Sequence, residues 1–292
     1  MRNFTAVVKP TSGSSGSESL VPLARALREG GAELEVEYSR SLGHARDLAV
    51  RAAEQGRVVL GVGGDGLAGR VVGALAGTDA VAGIVPAGRG NDFARALGLP
   101  EKVADLAELL LTAEPVKTDA IEVESAVHQR MAVLGSVYAG VDALANRHAD
   151  AYRALGGAAS YYAGGLRAVT TWRPVHYRIT IDGTTLERTG YTVVAANSGY
   201  YGFGRQIAPG ASVRDGVLDV VVIHHASRML FFSMMNELKT GQHVRRKEVE
   251  ILHGREVRIE ADRDLPYGAD GEVEAELPVT ARVLPEALNL LC

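Results

Sequence analysis

Residues 57–98 read RVVLGVGGDGLAGRVVGALAGTDAVAGIVPAGRGNDFARALG. An apolar run at 58–62 empties into three glycines around one acid, Gly63-Gly64-Asp65-Gly66. Leu67, Val71 and Leu75 then recur at i, i+4 and i+8, the spacing of an apolar helix face, and a second strand-like run follows at 81–85. That run also ends in a glycine loop, Pro86-Ala87-Gly88-Arg89-Gly90-Asn91-Asp92. In an open α/β sheet, ligands bind at the carboxyl ends of neighbouring strands. Glycine keeps backbone amides open to phosphate oxygens, so the expected ligand is phosphorylated.

Working outward, residues 4–8 form a short strand-like run that stops at Lys9-Pro10-Thr11-Ser12-Gly13 and continues into Ser14-Ser15-Gly16-Ser17. By composition this serine- and glycine-rich segment is a flexible linker. Its position between a strand and an amphipathic helix (Leu20, Leu23, Ala24, Leu27) makes it a phosphate-holding loop instead. A strand near 32–38, a helix over about 44–55, the strand at 58–62, the helix after Asn91 and one carrying Val103, Leu106, Leu109 and Leu110 complete a strict alternation. That alternation predicts a parallel, helix-covered sheet.

From about Asp119 the pattern changes. Residues 121–127 and 131–138 read as paired strands, and 177–181 and 184–188 flank Asp182-Gly183, a strong hairpin signal. Further strand-like runs lie at 191–196, 217–223, 249–252 and 257–259. Helical spacing is confined to about 143–155, 161–172 and 228–238. The expected architecture is therefore an α/β first domain (1–118) followed by a mainly antiparallel β-sandwich (119–278).

The composition, 47% hydrophobic and 23% charged over 292 residues, is that of a globular protein with room for two cores. Its net charge of -4 argues against a nucleic-acid partner. A single cysteine, Cys292, excludes an internal disulfide and points to a reducing, cytoplasmic setting. There is no signal-peptide core and no run long enough to span a bilayer, so any membrane contact is expected to be peripheral, at the inner face. The eight histidines show no metal spacing.

Gly61-Val62-Gly63-Gly64-Asp65-Gly66 formally fits GxGxxG, the dinucleotide fingerprint. It falls on the third strand of the series rather than the first, and Pro86 stands at the end of the next strand where an acid would hold a ribose. Asp65 also puts a carboxylate where a pyrophosphate would sit. Two anions so close repel unless a cation lies between them, so Asp65 fits a metal ion bound to phosphates, directly or through water. No GxxxxGK[ST] loop is present.

Gly63-Gly64-Asp65-Gly66, followed by Pro86-x-Gly88-x-Gly90-Asn91-Asp92-Phe93-Ala94-Arg95-x-Leu97-Gly98, resembles the catalytic domain of the diacylglycerol kinase family of lipid kinases. Sphingosine kinases and NAD kinases share its glycine-glycine-aspartate-glycine core. The resemblance continues in order through Lys9-Pro10-Thr11-Ser12-Gly13, residues 139–143 (AGVDA), 197–202 (NSGYYG), 208–219 (APGASVRDGVLD) and Ala269-Asp270-Gly271-Glu272. It implies an ATP-dependent, Mg2+-assisted kinase for a lipid hydroxyl, with diacylglycerol as the leading acceptor. It also implies that residues 279–292 return to the first domain and that the nucleotide lies over the glycine loops.

In this resemblance the nucleotide loops are Lys9, Pro10, Thr11, Ser12, Gly13, Gly63, Gly64, Asp65, Gly66, Leu67, Arg70, Gly88, Arg89, Gly90 and Asn91. Asp65 organises the catalytic Mg2+. Asp270 and Glu272, two apart in what reads as an extended segment, point the same way, and either can take the hydroxyl proton. Outside the family context such an Asp-Gly-Glu is an exposed acidic turn. A structural Mg2+ is implied at Asp215 with the carbonyls of Ser212 and Val217. Lys9, Arg70 and Arg89 replace residues that are usually asparagine, glutamate and threonine, and Leu67 replaces threonine. The three cations are expected to grip the triphosphate. Residues 229–235 (MLFFSMM) read either as the buried face of a helix or as an apolar lip that meets lipid. A soluble alcohol acceptor, a non-catalytic nucleotide- or lipid-binding relative and a homodimer also remain open at this level.

Overall fold

The computed structural model describes residues 2–9, 15–152 and 157–292. In the first half, strands and helices alternate: β1 (Asn3–Val8), α1 (Ser15–Glu29), β2 (Glu33–Tyr38), α2 (Leu42–Glu54), β3 (Val58–Gly63), α3 (Asp65–Gly73), β4 (Val81–Pro86), α4 (Asp92–Ala96) and α5 (Val103–Thr112). β1 lies between β2 and β3, β4 follows β3, and all four run parallel. Alternate residues serve opposite faces, as the pleat requires. Phe4, Ala6 and Val8 join Leu23, Leu27 and Leu110 under α1 and α5, while Val7, Val59 and Ile84 join Ala49 and Val71 under α2 and α3. With both faces covered, the strands read as continuous apolar runs.

The second half comprises β5 (Pro115–Ser125), β6 (Met131–Val133), β7 (Ser136–Gly140), α6 (Val141–Ala151), α7 (Gly157–Thr171), β8 (Val175–Ile181), β9 (Thr184–Ala196), β10 (Tyr200–Tyr201), β11 (Arg205–Gln206), β12 (Leu218–His224), α8 (Arg228–Glu237), β13 (Val249–Gly254), β14 (Glu256–Ala261), β15 (Pro266–Ala269), β16 (Glu272–Glu276) and β17 (Val279–Leu291). It is a β-sandwich whose layers share β9. Residues 184–190 of β9 pair with β8, and residues 192–196 pair with β7 and β12. The expected strands at 184–188 and 191–196 are therefore one long strand. The inner faces meet in a core that includes Val193, Val221, Ile179, Val257 and Tyr267.

β17 ties the halves together. It runs antiparallel to β14 and β5, and at Asn289 and Leu290 it pairs in parallel with Val81 and Ala82 of β4. The expected strand at 131–138 is interrupted between β6 and β7, because the amides of Leu134, Gly135 and Ser136 turn to the Asp270 carboxylate. In α8, Phe231 and Met234 are buried, and Phe231 stacks on Tyr191 at 4.3 Å between ring centroids, whereas Met229 and Phe232 are exposed. Among the described residues no helix is long and apolar enough to cross a membrane.

At the β7–α6 junction the Asp142 carboxylate accepts from the Thr192 hydroxyl at 2.8 Å and from the Ala143 amide at 2.9 Å. Burial pushes its pKa up to about 6, and these hydrogen bonds only partly oppose the shift. A carboxyl raised above its unfolded value of 3.8 favours the fold below that value and loses this contribution as pH rises toward about 6. Asp142→Asn keeps an acceptor for Thr192 without the charge. Its melting temperature should match the parent near pH 3.5 and exceed it by a growing margin up to about pH 6.5, as thermal melts across this range would read.

Candidate active site

α3 starts directly at Asp65, with Gly64 as an N-cap that makes no side-chain cap bond, so the first-turn amides are open to an anion. The second glycine loop touches the first: a Cβ on Gly88 would fall 2.3 Å from the Gly64 Cα, and the Ala87 amide donates to the Gly63 carbonyl at 3.0 Å. Asn91 adopts the left-handed conformation with φ of 53° and closes its own loop. Its Oδ1 accepts from the Gly88 amide at 2.9 Å and its Nδ2 donates to the Gly88 carbonyl at 3.1 Å. Leu67 is buried against Gly63, where it packs the root of α3 rather than facing the cleft.

Lys9 at the end of β1 and Arg89 at the end of β4 are exposed on either side of the β3 loop, and neither makes a hydrogen bond or ion pair among the described residues. Pro10, Thr11, Ser12 and Gly13 lie outside the described residues. Arg70 is placed differently from the other two cations. Its guanidinium donates to Glu274 of β16 and to the Met131 sulfur.

Four carboxylates meet at the cleft. Asp65 Oδ1 accepts from the Phe93 amide at 3.0 Å, leaving Oδ2 beside Gly90, where the nearest oxygen of Asp92 also lies. Burial, with Asp92 and Asp270 close by, pushes the Asp65 pKa up to about 6. Asp92 accepts from the amides of Phe203 at 3.1 Å and Gly204 at 2.5 Å, which pins α4 to the β10–β11 turn of the second half. Burial raises its pKa and these two amides oppose the rise.

Asp270 and Glu272 belong to a hairpin rather than an extended segment. Ala269 pairs with Glu272, and Asp270 and Gly271 form a two-residue turn with φ of 46° and 87°. The two side chains consequently differ. Asp270 is enclosed, with Oδ2 accepting from Leu134 at 2.7 Å and Oδ1 from Gly135 at 2.8 Å and Ser136 at 3.3 Å. Burial raises its pKa and the three amides pull it back. Glu272 is exposed, makes no hydrogen bond or ion pair among the described residues, and reaches over α3 so that a Cβ on Gly66 would fall 2.8 Å from its Oε1.

The residues present fit a divalent cation beside Asp65. Crowded carboxylates whose ionisation is resisted by burial and by each other are relieved by one. Among the described residues no cage of three or more His, Cys, Asp or Glu is formed. A Mg2+ ion at Asp65 would use one or two carboxylates and take its other ligands from phosphate and water. At the other expected metal position, Ser212 and Asp215 are exposed, and Asp215 Oδ1 accepts from the Val217 amide at 3.1 Å, leaving Oδ2 open.

Sequence reasoning missed two anchors. Asp119, only 1% exposed, accepts from Gly216 at 2.7 Å and Glu286 at 2.8 Å and so fixes the loop that carries Asp215. A carboxylate just ahead of the apolar Ala120-Ile121 pair was its one available signal. Glu274 is masked by the run Glu272-Val273-Glu274-Ala275-Glu276, which reads as an ordinary solvated strand face.

Both halves of the chain are similar to known proteins. Residues 3–123 match the diacylglycerol kinase catalytic domain, and residues 135–292 match the YegS C-terminal NAD kinase beta sandwich-like domain. The chain is 31% identical over 252 residues to a diacylglycerol kinase of Mycobacterium tuberculosis, covering 85% of this chain and 81% of that one. It is 24% identical over 283 residues to a diacylglycerol kinase of Bacillus subtilis, covering 95% and 92%. In fold it is similar to a diacylglycerol kinase structure from Bacillus anthracis, with a TM-score of 0.71 at 18% identity over 99% and 96% of the two chains. With both halves matched in order and the glycine loops, Asp65 and Glu272 gathered at one cleft, the chain belongs to the diacylglycerol kinase family of lipid kinases.

Proposed function

We propose that this kinase transfers the γ-phosphoryl group of ATP to the free hydroxyl of diacylglycerol, giving phosphatidic acid. The observation that carries this reading is the position of Glu272, a carboxylate without a hydrogen-bond or ion-pair partner among the described residues, held over the first turn of the glycine-loop helix. The amides at 64–66 and 88–90 bind the phosphates, and Lys9 and Arg89 flank them with charge. Asp65, through Oδ2, would hold Mg2+, which when bound neutralises charge on the β- and γ-phosphates. Asp215, with the carbonyls of Ser212 and Val217, would hold a second, structural Mg2+.

In the transfer itself the acceptor oxygen bonds to the γ-phosphorus and the bond from that phosphorus to the β,γ-bridging oxygen breaks. ADP leaves and the hydroxyl proton passes to Glu272. Asp270, with both oxygens taken by amides, holds the hairpin in place rather than accepting the proton. The first domain is proposed to comprise residues 1–118 with 279–292, and the second residues 119–278. Membrane contact is proposed to be peripheral.

Turnover measured with diacylglycerol-containing vesicles tests the assignment. Glu272→Gln should lower kcat by about 10²–10⁴-fold with little change in the KM for ATP. Asp270→Asn places an NH2 group against backbone donors and should lower the melting temperature as well as activity. Phosphorylation of soluble alcohols alone, with none of the vesicle lipid, would overturn the lipid acceptor.

The cationic flank is read separately. Lys9→Ala and Arg89→Ala should each raise the KM for ATP by about tenfold and leave kcat nearly unchanged. An unchanged KM in both variants would remove these residues from the nucleotide site.

A further inference from the structure

We infer that Arg70 and Glu274 form a positioning pair that sets where Glu272 stands over the nucleotide loop; the inference rests on the reading of Glu272 as the proton acceptor. The argument begins with the surface of α3 that meets the second domain. Gly66, Gly69 and Gly73 lie three and seven residues apart on one helix face. A Cβ on Gly66 would fall 2.8 Å from Glu272 Oε1, one on Gly69 2.5 Å from Asp270 Oδ2, and one on Gly73 2.5 Å from the Ala132 carbonyl. The helix is thus approached closely along its length, yet this glycine face carries no side chain that could fix how far along it the hairpin sits.

Arg70 supplies that fix. It lies one turn beyond Gly66, and its guanidinium crosses to Glu274, which follows Glu272 by two residues on β16, at the bulge where the pairing with β15 skips a residue. The pair is largely shielded, with the Arg70 side chain 18% exposed and that of Glu274 7% exposed. The other Glu274 oxygen meets His128 Nε2 at 3.1 Å, and another Arg70 nitrogen meets the sulfur of Met131, the first residue of β6. Glu274 is therefore held from both sides, one partner coming from the nucleotide domain and one from the loop before β6. Because β16 is a short strand that starts at Glu272, holding Glu274 also holds Glu272 relative to Gly66. A displacement of about 1 Å at such a group costs as much as 10²-fold in rate, so the effect belongs in kcat.

Steady-state kinetics and amide hydrogen exchange on the full chain test this. Arg70→Ala and Glu274→Gln should each lower kcat by roughly 10–100-fold, with the KM for ATP within about threefold of the parent. The double variant should be no slower than the worse single one, because each removes the same link. Arg70→Lys, which keeps the charge, should recover part of the loss. The amides of Leu134, Gly135 and Ser136, held by Asp270 in the same hairpin, should exchange faster in Arg70→Ala and Glu274→Gln.

A raised KM for ATP with unchanged kcat in Arg70→Ala would make Arg70 a phosphate ligand and overturn the inference. So would multiplied losses in the double variant, or unchanged exchange together with unchanged turnover. If Glu272→Gln keeps full activity, the proton-acceptor reading fails on its own, and the exchange measurement still decides whether Arg70 and Glu274 hold the hairpin. Should Arg70→Ala fail to fold, Glu274→Gln, nearly identical in shape, and Arg70→Lys carry the same test.

Discussion

The cleft depends on the capture of three successive amides by one carboxylate. Leu134, Gly135 and Ser136 donate to Asp270, and this interrupts what would be a continuous strand and fixes the β15–β16 turn from the side. A carboxyl withdrawn from water is costly alone, and several backbone hydrogen bonds are what make it tolerable. The same device recurs at Asp92, which holds Phe203 and Gly204, and at Asp119, which holds Gly216 and Glu286. Each joins segments far apart in sequence, and the Asp92 bonds to Phe203 and Gly204 fasten the first half to the second directionally as well as by apolar contact.

This fastening divides labour between neighbouring acids. Asp270 and Glu272 are two residues apart, yet among the described residues one has both oxygens engaged and the other has neither. The difference comes from the turn between them: a left-handed Asp-Gly pair turns Asp270 inward and lets Glu272 start the next strand facing the cleft. Asp65 lies between these extremes, with one oxygen on the Phe93 amide and one open. Its raised pKa follows from burial among other acids, and it describes a site shaped for a positive charge brought in with the ligand.

Much of this was legible in the chain. Alternating strands and helices gave the parallel domain, period-two runs with Asp182-Gly183 gave the antiparallel one, and the glycine loops marked the cleft because only glycine admits the approach of Gly64 to Gly88. The turn at Asp270-Gly271 carries the same two-letter signal as Asp182-Gly183, but the two-residue spacing of Asp270 and Glu272 also fits an extended segment with a shared face. Arg70 illustrates what local reading could not reach. Its charge and its place next to the glycine loop point toward phosphate, and only tertiary packing reveals Glu274 as its partner. Asp119 and Glu274 were hidden for the same reason, since a carboxylate's partners are amides and cations contributed by distant segments.

The position of β17 bears on how the chain reaches this fold. Its pairing with β4 joins residues separated by roughly two hundred positions, a span whose closure is entropically modest but kinetically slow. During synthesis β4 emerges long before β17, and the entire sandwich is made in between. The sheet edge beside β4 therefore stays open while the second domain assembles, and an exposed edge of this kind invites pairing with other chains. Completion of the nucleotide domain is thus coupled to completion of the sandwich, and any chaperone that guards this protein would have most to protect along β4.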